Sequence, residues 1–144
     1  MIAGSGDDRT RLEAKARALG IADYVRFTGF VPDAELVELY RCARVFVLAG
    51  RGEGFGIVLL EAMACGVPVV ASTLDGSVEA VRFGKLGVAI DPGKPDELVA
   101  GILEALGRPV GERPAGIEYF SYRAFETRVH EFLGRLLRSE AGSR

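Results

Sequence analysis

Short continuous apolar runs alternate along this chain with stretches in which apolar residues recur at helical spacing, and turn residues separate the two. Met1–Gly4 is an apolar run stopped by Gly4-Ser5-Gly6-Asp7-Asp8. The spacing then predicts a helix from Asp8 to Leu19, with Leu12, Ala16 and Leu19 on one face and Gly20 as its stop. Alternation over Tyr24–Thr28 predicts a strand, and Gly29-Phe30-Val31-Pro32 a turn. Asp33 is placed to cap a helix carrying Leu36, Val37 and Tyr40. Val45–Leu48 reads as a strand covered on both faces.

After a glycine-dense loop, a helix follows with Ile57, Leu60, Ala64 and Met63 facing inward. Val67–Ala71 is a second buried strand, and Asp75-Gly76-Ser77 turns into a short helix carrying Val78 and Val81. Gly87–Ile90 is a last short strand, and Pro95 opens a helix to Leu106. A helix over Tyr122–Arg138 follows, amphipathic on Phe125, Val129, Phe132, Leu133 and Leu136, with a polar, mobile tail at 139–144.

Strands alternating with helices at this spacing imply an α/β domain, an open parallel sheet with helices on its faces. Ligands of such sheets bind outside the carboxyl ends of the strands. The loops to inspect are therefore 4–8, 29–33, 49–56, 72–77 and 91–95.

Composition narrows the classes. Of 144 residues 49% are hydrophobic, which excludes disorder and suits one domain. Eighteen basic against 20 acidic residues leave a net charge of −2, so no field attracts nucleic acid. Cys42 and Cys65 read as reduced, buried thiols of a cytoplasmic protein. No uninterrupted apolar 18-mer occurs, so no membrane-spanning helix is predicted.

The chemistry concentrates in Gly50-Arg51-Gly52-Glu53-Gly54-Phe55-Gly56. Glycines let backbone amides approach a ligand, and the helix start behind them favours an anion such as a diphosphate. A loop that merely needs left-handed torsions reads equally well. Glu53 and Glu61 lie eight positions apart, Glu61 inside an apolar run where an unpartnered carboxylate is costly. A carboxylate can accept two hydroxyl protons at once, which suits a vicinal diol. An exposed Glu on the outer helix face is the competing account of each.

Other candidates carry less. Gly4-Ser5-Gly6 starts a dinucleotide fingerprint but has Arg9 in the third glycine's place, so NAD binding is not expected. Ser72, Thr73 and Ser77 serve either a phosphate or a helix cap. Arg51 is beside the loop and within reach of a phosphate, or is simply exposed. His130, the single histidine, reads as a surface residue, and one His with two scattered Cys assembles no metal site.

The run from Glu53 to Ser72, with its Glu, seven residues, Glu spacing, resembles the signature of the glycosyl transferases group 1 family, retaining enzymes of the two-Rossmann-domain GT-B type. Val25–Val31, Tyr40–Leu48, Asp75–Ala80 and Gly87–Pro92 are similar to the family's flanking stretches. The resemblance covers residues 1 to 135.

It implies the C-terminal, donor-binding half of that fold, a Rossmann-like domain over 1–138 that lacks its first strand unit. The substrate it implies is a nucleotide-sugar, UDP- or GDP-hexose, with no metal or other cofactor required. Glu61 would hold the ribose hydroxyls and Glu53, as the catalytic-site residue, the hexose hydroxyls. The amides of Gly54, Phe55 and Gly56, with Ile57 and Val58 beyond, would meet hexose and diphosphate, and Gly29 and Val31 the nucleobase. The parent enzyme would transfer hexose to a sugar or lipid-linked acceptor through an N-terminal domain missing here, so the isolated chain is expected to bind nucleotide weakly and not to transfer.

Two further consequences concern partners. The family's strand order, 3-2-1-4-5-6, loses its central strand in this chain, so the sheet must close up, leave a gap or borrow a strand. Homo-association through the bare edge and peripheral membrane association of the parent enzyme are both open. The alternative to an enzyme fragment is a non-catalytic module that docks on a separate acceptor-binding domain.

Overall fold

A computed structural model describes residues 1–141. Two compact units divide at Leu39 and Tyr40. In the first, strands β1 (Ile2–Ala3) and β2 (Phe27–Gly29) pair in parallel, Ile2 opposite Phe27. Helix α1 (Arg9–Ala18) connects them. It ends where Gly20 turns left-handed (φ +67°), with Gly20 N–H donating to Arg17 O and Ile21 N–H to Ala16 O, both at 3.0 Å.

Three expectations for this unit change. Ala22–Tyr24 is a 3-10 turn, so the strand begins only at Phe27. Asp33 is already the first residue of α2 (Asp33–Cys42), because the Pro32 carbonyl accepts the Glu35 and Leu36 amides and takes the capping place. Leu19 and Val37, assigned to inward faces, are exposed.

In the second unit, β3 (Phe46–Leu48), β4 (Val69–Ser72) and β5 (Val88–Ile90) form a parallel sheet in the order β3-β4-β5. Central β4 is buried throughout. Hydrogen bonding thus divides the described strands into two sheets, β1-β2 and β3-β4-β5, rather than one.

Helices α3 (Ile57–Ala64), α4 (Ser77–Ala80) and α5 (Pro95–Leu106) follow β3, β4 and β5 in turn. Val70, Val88, Ile90 and Ala105 form a core cluster on the α5 side. Gly101 lets α5 settle there, since a Cβ would lie 2.5 Å from Ile90 Cγ2. Val69, the residue before Val70 in β4, points to the opposite face, where Val81 packs near it across Gly87. Helices therefore cover both faces of this sheet. With every residue from Ile57 to Leu60 apolar, periodicity cannot choose a face for α3, and the buried side is Leu59, Ala62 and Met63 rather than Ile57, Leu60 and Ala64.

Three more expectations are corrected here. β3 is an edge strand and Val47 is exposed, so it is not covered on both faces. Cys42 is exposed and Cys65 half-buried, because both stand at helix ends and not in the core. Helix α6 runs over Tyr122–Ala141, past the predicted end, and residues 142–144 of the expected tail lie outside the described residues. Its apolar stripe of Phe125, Val129, Phe132, Leu133 and Leu136 is exposed.

Candidate functional site

The loop after β3 is held by the turn after β4. Glu53 N–H donates to Asp75 Oδ2 at 3.2 Å, and the Glu53 carbonyl accepts Gly76 N–H at 2.9 Å. Asp75 Oδ1 in turn takes Ser77 N–H at 3.0 Å and lies 2.6 Å from the Ser77 hydroxyl. A Cβ on Gly76 would fall 1.9 Å from the Gly54 carbonyl oxygen, so the two backbones touch at a point that only glycine permits. Desolvation pushes the Asp75 carboxyl upward, but the hydrogen bonds from Ser77 and Glu53 outweigh it and leave it below the ordinary carboxylate range.

Ser77 is fully buried, and its hydroxyl accepts Ser72 N–H at 3.1 Å. Ser72 Oγ accepts Leu74 N–H at 3.0 Å. Neither hydroxyl caps α4: both bond locally, to the end of β4 and to the turn after it.

Pinned in this way, the loop turns left-handed at Gly52 (φ +93°) and Gly56 (φ +82°) and enters α3. The Phe55 and Gly56 amides point at Glu53 Oε1, at 3.4 and 3.2 Å. A carboxylate thus sits on the amides that open α3, where the first N–H groups have no partner within the helix and the dipole favours negative charge. Left-handed torsions and an anion-accepting array of amides are both present. Ile57 is exposed and Val58 half-buried at the first turn.

Glu61 lies one turn further on. Its residue is exposed, yet Oε2 accepts the Tyr40 hydroxyl at 3.0 Å. Tyr40 is buried and packs edge-on to Phe46, with ring centroids 5.5 Å apart. Burial first, and then the bond to Glu61, hold the Tyr40 phenol well above its usual range. The carboxylate is therefore oriented from below by a neutral donor, which escaped sequence reasoning because Tyr40 counted only as a face residue of its helix. Asp75 escaped it too, although an Asp two residues before a helix-opening Ser is a recognisable turn signal.

Glu53, Gly54, Phe55, Gly56, Ile57, Val58 and Glu61 are thus brought together in the second unit. Gly29 (φ +69°) and the half-buried Val31 lie at and beyond the end of β2 in the first. There Arg9 Nη1 would be 3.7 Å from a Cβ on Gly29. Arg51 is exposed, with Nη2 2.9 Å from where a Cβ on Gly93 would stand. His130 is exposed, as its position suggests.

The sequence is 44% identical over 106 residues to D-inositol 3-phosphate glycosyltransferase 2 of Catenulispora acidiphila, which covers 71% of this chain and 25% of that protein. The chain thus spans about a quarter of the length of that curated relative. Its fold is similar to the lipopolysaccharide outer core galactosyltransferase WaaB, apo form, with TM-score 0.76 and 26% identity over 93% of this chain and 40% of that one. It is also similar to Anabaena Alr3699/HepE in complex with UDP-glucose, with TM-score 0.67 and 25% identity over 92% of this chain and 40% of that one. A sequence model of the family matches residues 1–122, and the chain belongs to the Glycosyl transferases group 1 family.

Proposed function

We propose that this chain is the donor-binding part of a retaining hexosyltransferase that uses UDP- or GDP-hexose. The observation that carries the proposal is the Glu53–Gly56 loop, whose amides converge on one carboxylate at the start of α3 while Glu61 stands one turn behind, oriented by Tyr40. An array that holds the Glu53 carboxylate suits a diphosphate oxygen equally well. On donor binding the diphosphate takes over the Phe55 and Gly56 amides, and Glu53 swings to the hexose hydroxyls. Glu61 accepts the two ribose hydroxyls.

Stabilising a departing diphosphate is a charge problem, and amides fixed in advance address it without a divalent metal. The UDP-glucose complex of a similar structure supports a nucleotide-sugar donor. Gly29 and Val31 are assigned to the nucleobase, and the acceptor, a sugar or a lipid-linked sugar, to another part of the protein.

Titration of the chain with UDP, GDP and their hexose conjugates by calorimetry tests the reading. Weak binding of one nucleoside diphosphate is expected, and Glu61→Ala abolishes it. Unchanged affinity in Glu61→Ala removes the ribose role. Robust transfer by the chain alone refutes the assignment of the acceptor site elsewhere.

A further inference from the structure

Phe55 is the one side chain between Gly54 and Gly56, and its ring meets that of Phe120 edge-on, with centroids 5.7 Å apart and planes at 69°. Phe120 closes a 3-10 turn, Ile117–Phe120, entered through left-handed Gly116. Its own neighbour Tyr119 lies edge-on to it at 5.1 Å and 88°. Two guanidinium groups stack on the Tyr119 ring, Arg82 at 4.1 Å and Arg128 at 4.0 Å from the centroid. Arg128, from α6, also donates to the Tyr119 carbonyl at 2.7 Å. Arg82 comes from a strained turn, since Arg82 and Phe83 hold φ of +48° and +55° without being glycine. Such torsions persist only where the surroundings enforce them.

The chain of contacts runs from α6 and the end of α4 through Tyr119 and Phe120 to Phe55. A loop with glycine at four of seven positions loses much entropy on ordering and offers few side chains to hold. We infer that Phe120 is a positioning residue of the donor loop: its ring fixes Phe55 and so aims the Phe55 and Gly56 amides, while Tyr119 and its two arginines fix Phe120. The inference rests on the donor-site reading above and adds a residue more than sixty positions away to the machinery that sets it.

The test is a mutant cycle on the full chain with Phe55→Ala, Phe120→Ala and their double mutant, together with Phe120→Tyr and Arg128→Gln. Three quantities are measured: amide hydrogen exchange of Phe55 and Gly56 by NMR, affinity for UDP and GDP, and thermal midpoint. Phe120→Ala is expected to speed exchange at those two amides about two- to tenfold, the range an edge-to-face aromatic pair is worth, and to weaken nucleotide binding by a similar factor. Phe120→Tyr restores both, Arg128→Gln shows the same effect in weaker form, and the double mutant is no worse than either single one.

Exchange that stays at the wild-type rate overturns the inference. So does exchange that rises uniformly across the unit in step with lost stability, or single effects that simply add. If the wild-type chain binds neither UDP nor GDP, the donor-site reading falls, and the exchange rates still decide whether Phe120 positions the loop.

Discussion

Backbone conformation and packing make opposite demands at Gly76. Its φ of −66° and ψ of −10° are ordinary helical values, so alanine fits the torsions. On that ground Gly76→Ala should stabilise the protein by about 0.4–1 kcal/mol, by narrowing the unfolded ensemble. The added Cβ, however, would stand 1.9 Å from Gly54 O and 2.6 Å from Gly54 C, both backbone atoms with no rotamer to change. Ordinary contact begins near 3.4 Å, so the loop must retreat by about 1.5 Å. Such a retreat breaks the Gly76 N–H to Glu53 O bond and strains the Glu53 N–H to Asp75 bond.

Each is worth about 1 kcal/mol, and overpacking adds about 1–3 kcal/mol. The net expectation is a loss of about 2–4 kcal/mol, a midpoint lower by roughly 4–15 °C, and loss of nucleotide binding. Gly107→Ala is the control. Its backbone is nearly the same (φ −77°, ψ −10°), but a Cβ there comes no nearer than 3.4 Å to any neighbour. Urea denaturation and UDP or GDP titration of both variants decide the matter. If Gly76→Ala is as stable as Gly107→Ala and binds like wild type, the loop is not held by that backbone contact and the reasoning fails.

Tyr40→Phe removes the donor to Glu61 Oε2 and is expected to cost about 1.5–3 kcal/mol, as for a hydrogen bond to a charged group, and to weaken nucleotide binding. Because folding raises the Tyr40 pKa, its stabilising share is complete below pH ~10 and is lost as pH rises through the folded value. A component of the spectrophotometric titration that ionises above the ordinary phenol range should disappear in Tyr40→Phe. Asp75 has the opposite sign. Its carboxyl is depressed in the folded chain, so its contribution is present above pH ~4 and is lost as pH falls through the folded value. Asp75→Asn should flatten the acid limb of stability below pH ~4, measured by urea denaturation, and a limb of unchanged slope contradicts the role given to that carboxylate.

Elements bounded by strong local signals were legible in the chain itself. Pro95 opens α5, and Gly20 ends α1 through bonds that a left-handed residue completes. Elements without internal contrast were not. The apolar run from Ile57 to Leu60 conceals which side of α3 is inward. Tyr24, whose β-propensity suggests a strand, stands in a 3-10 turn because the chain is still closing off the end of α1. In α6 the amphipathic pattern predicts the helix correctly and says nothing of whether its apolar stripe is covered.

The site divides along the same line. Glu53, the glycines and Glu61 are visible from residue type and spacing, because the chemistry of amides and carboxylates near a helix start is local. What holds them is not local. Asp75 and Gly76 reach Glu53 across 22 and 23 positions, Tyr40 reaches Glu61 across 21, and Phe120 reaches Phe55 across 65. Parallel strands bring these together, since each crossover returns the chain to the same end of the sheet, where successive loops become neighbours in space while remaining distant in sequence. Local residue chemistry is written in the order of amino acids, whereas the partners that orient it are chosen by the sheet.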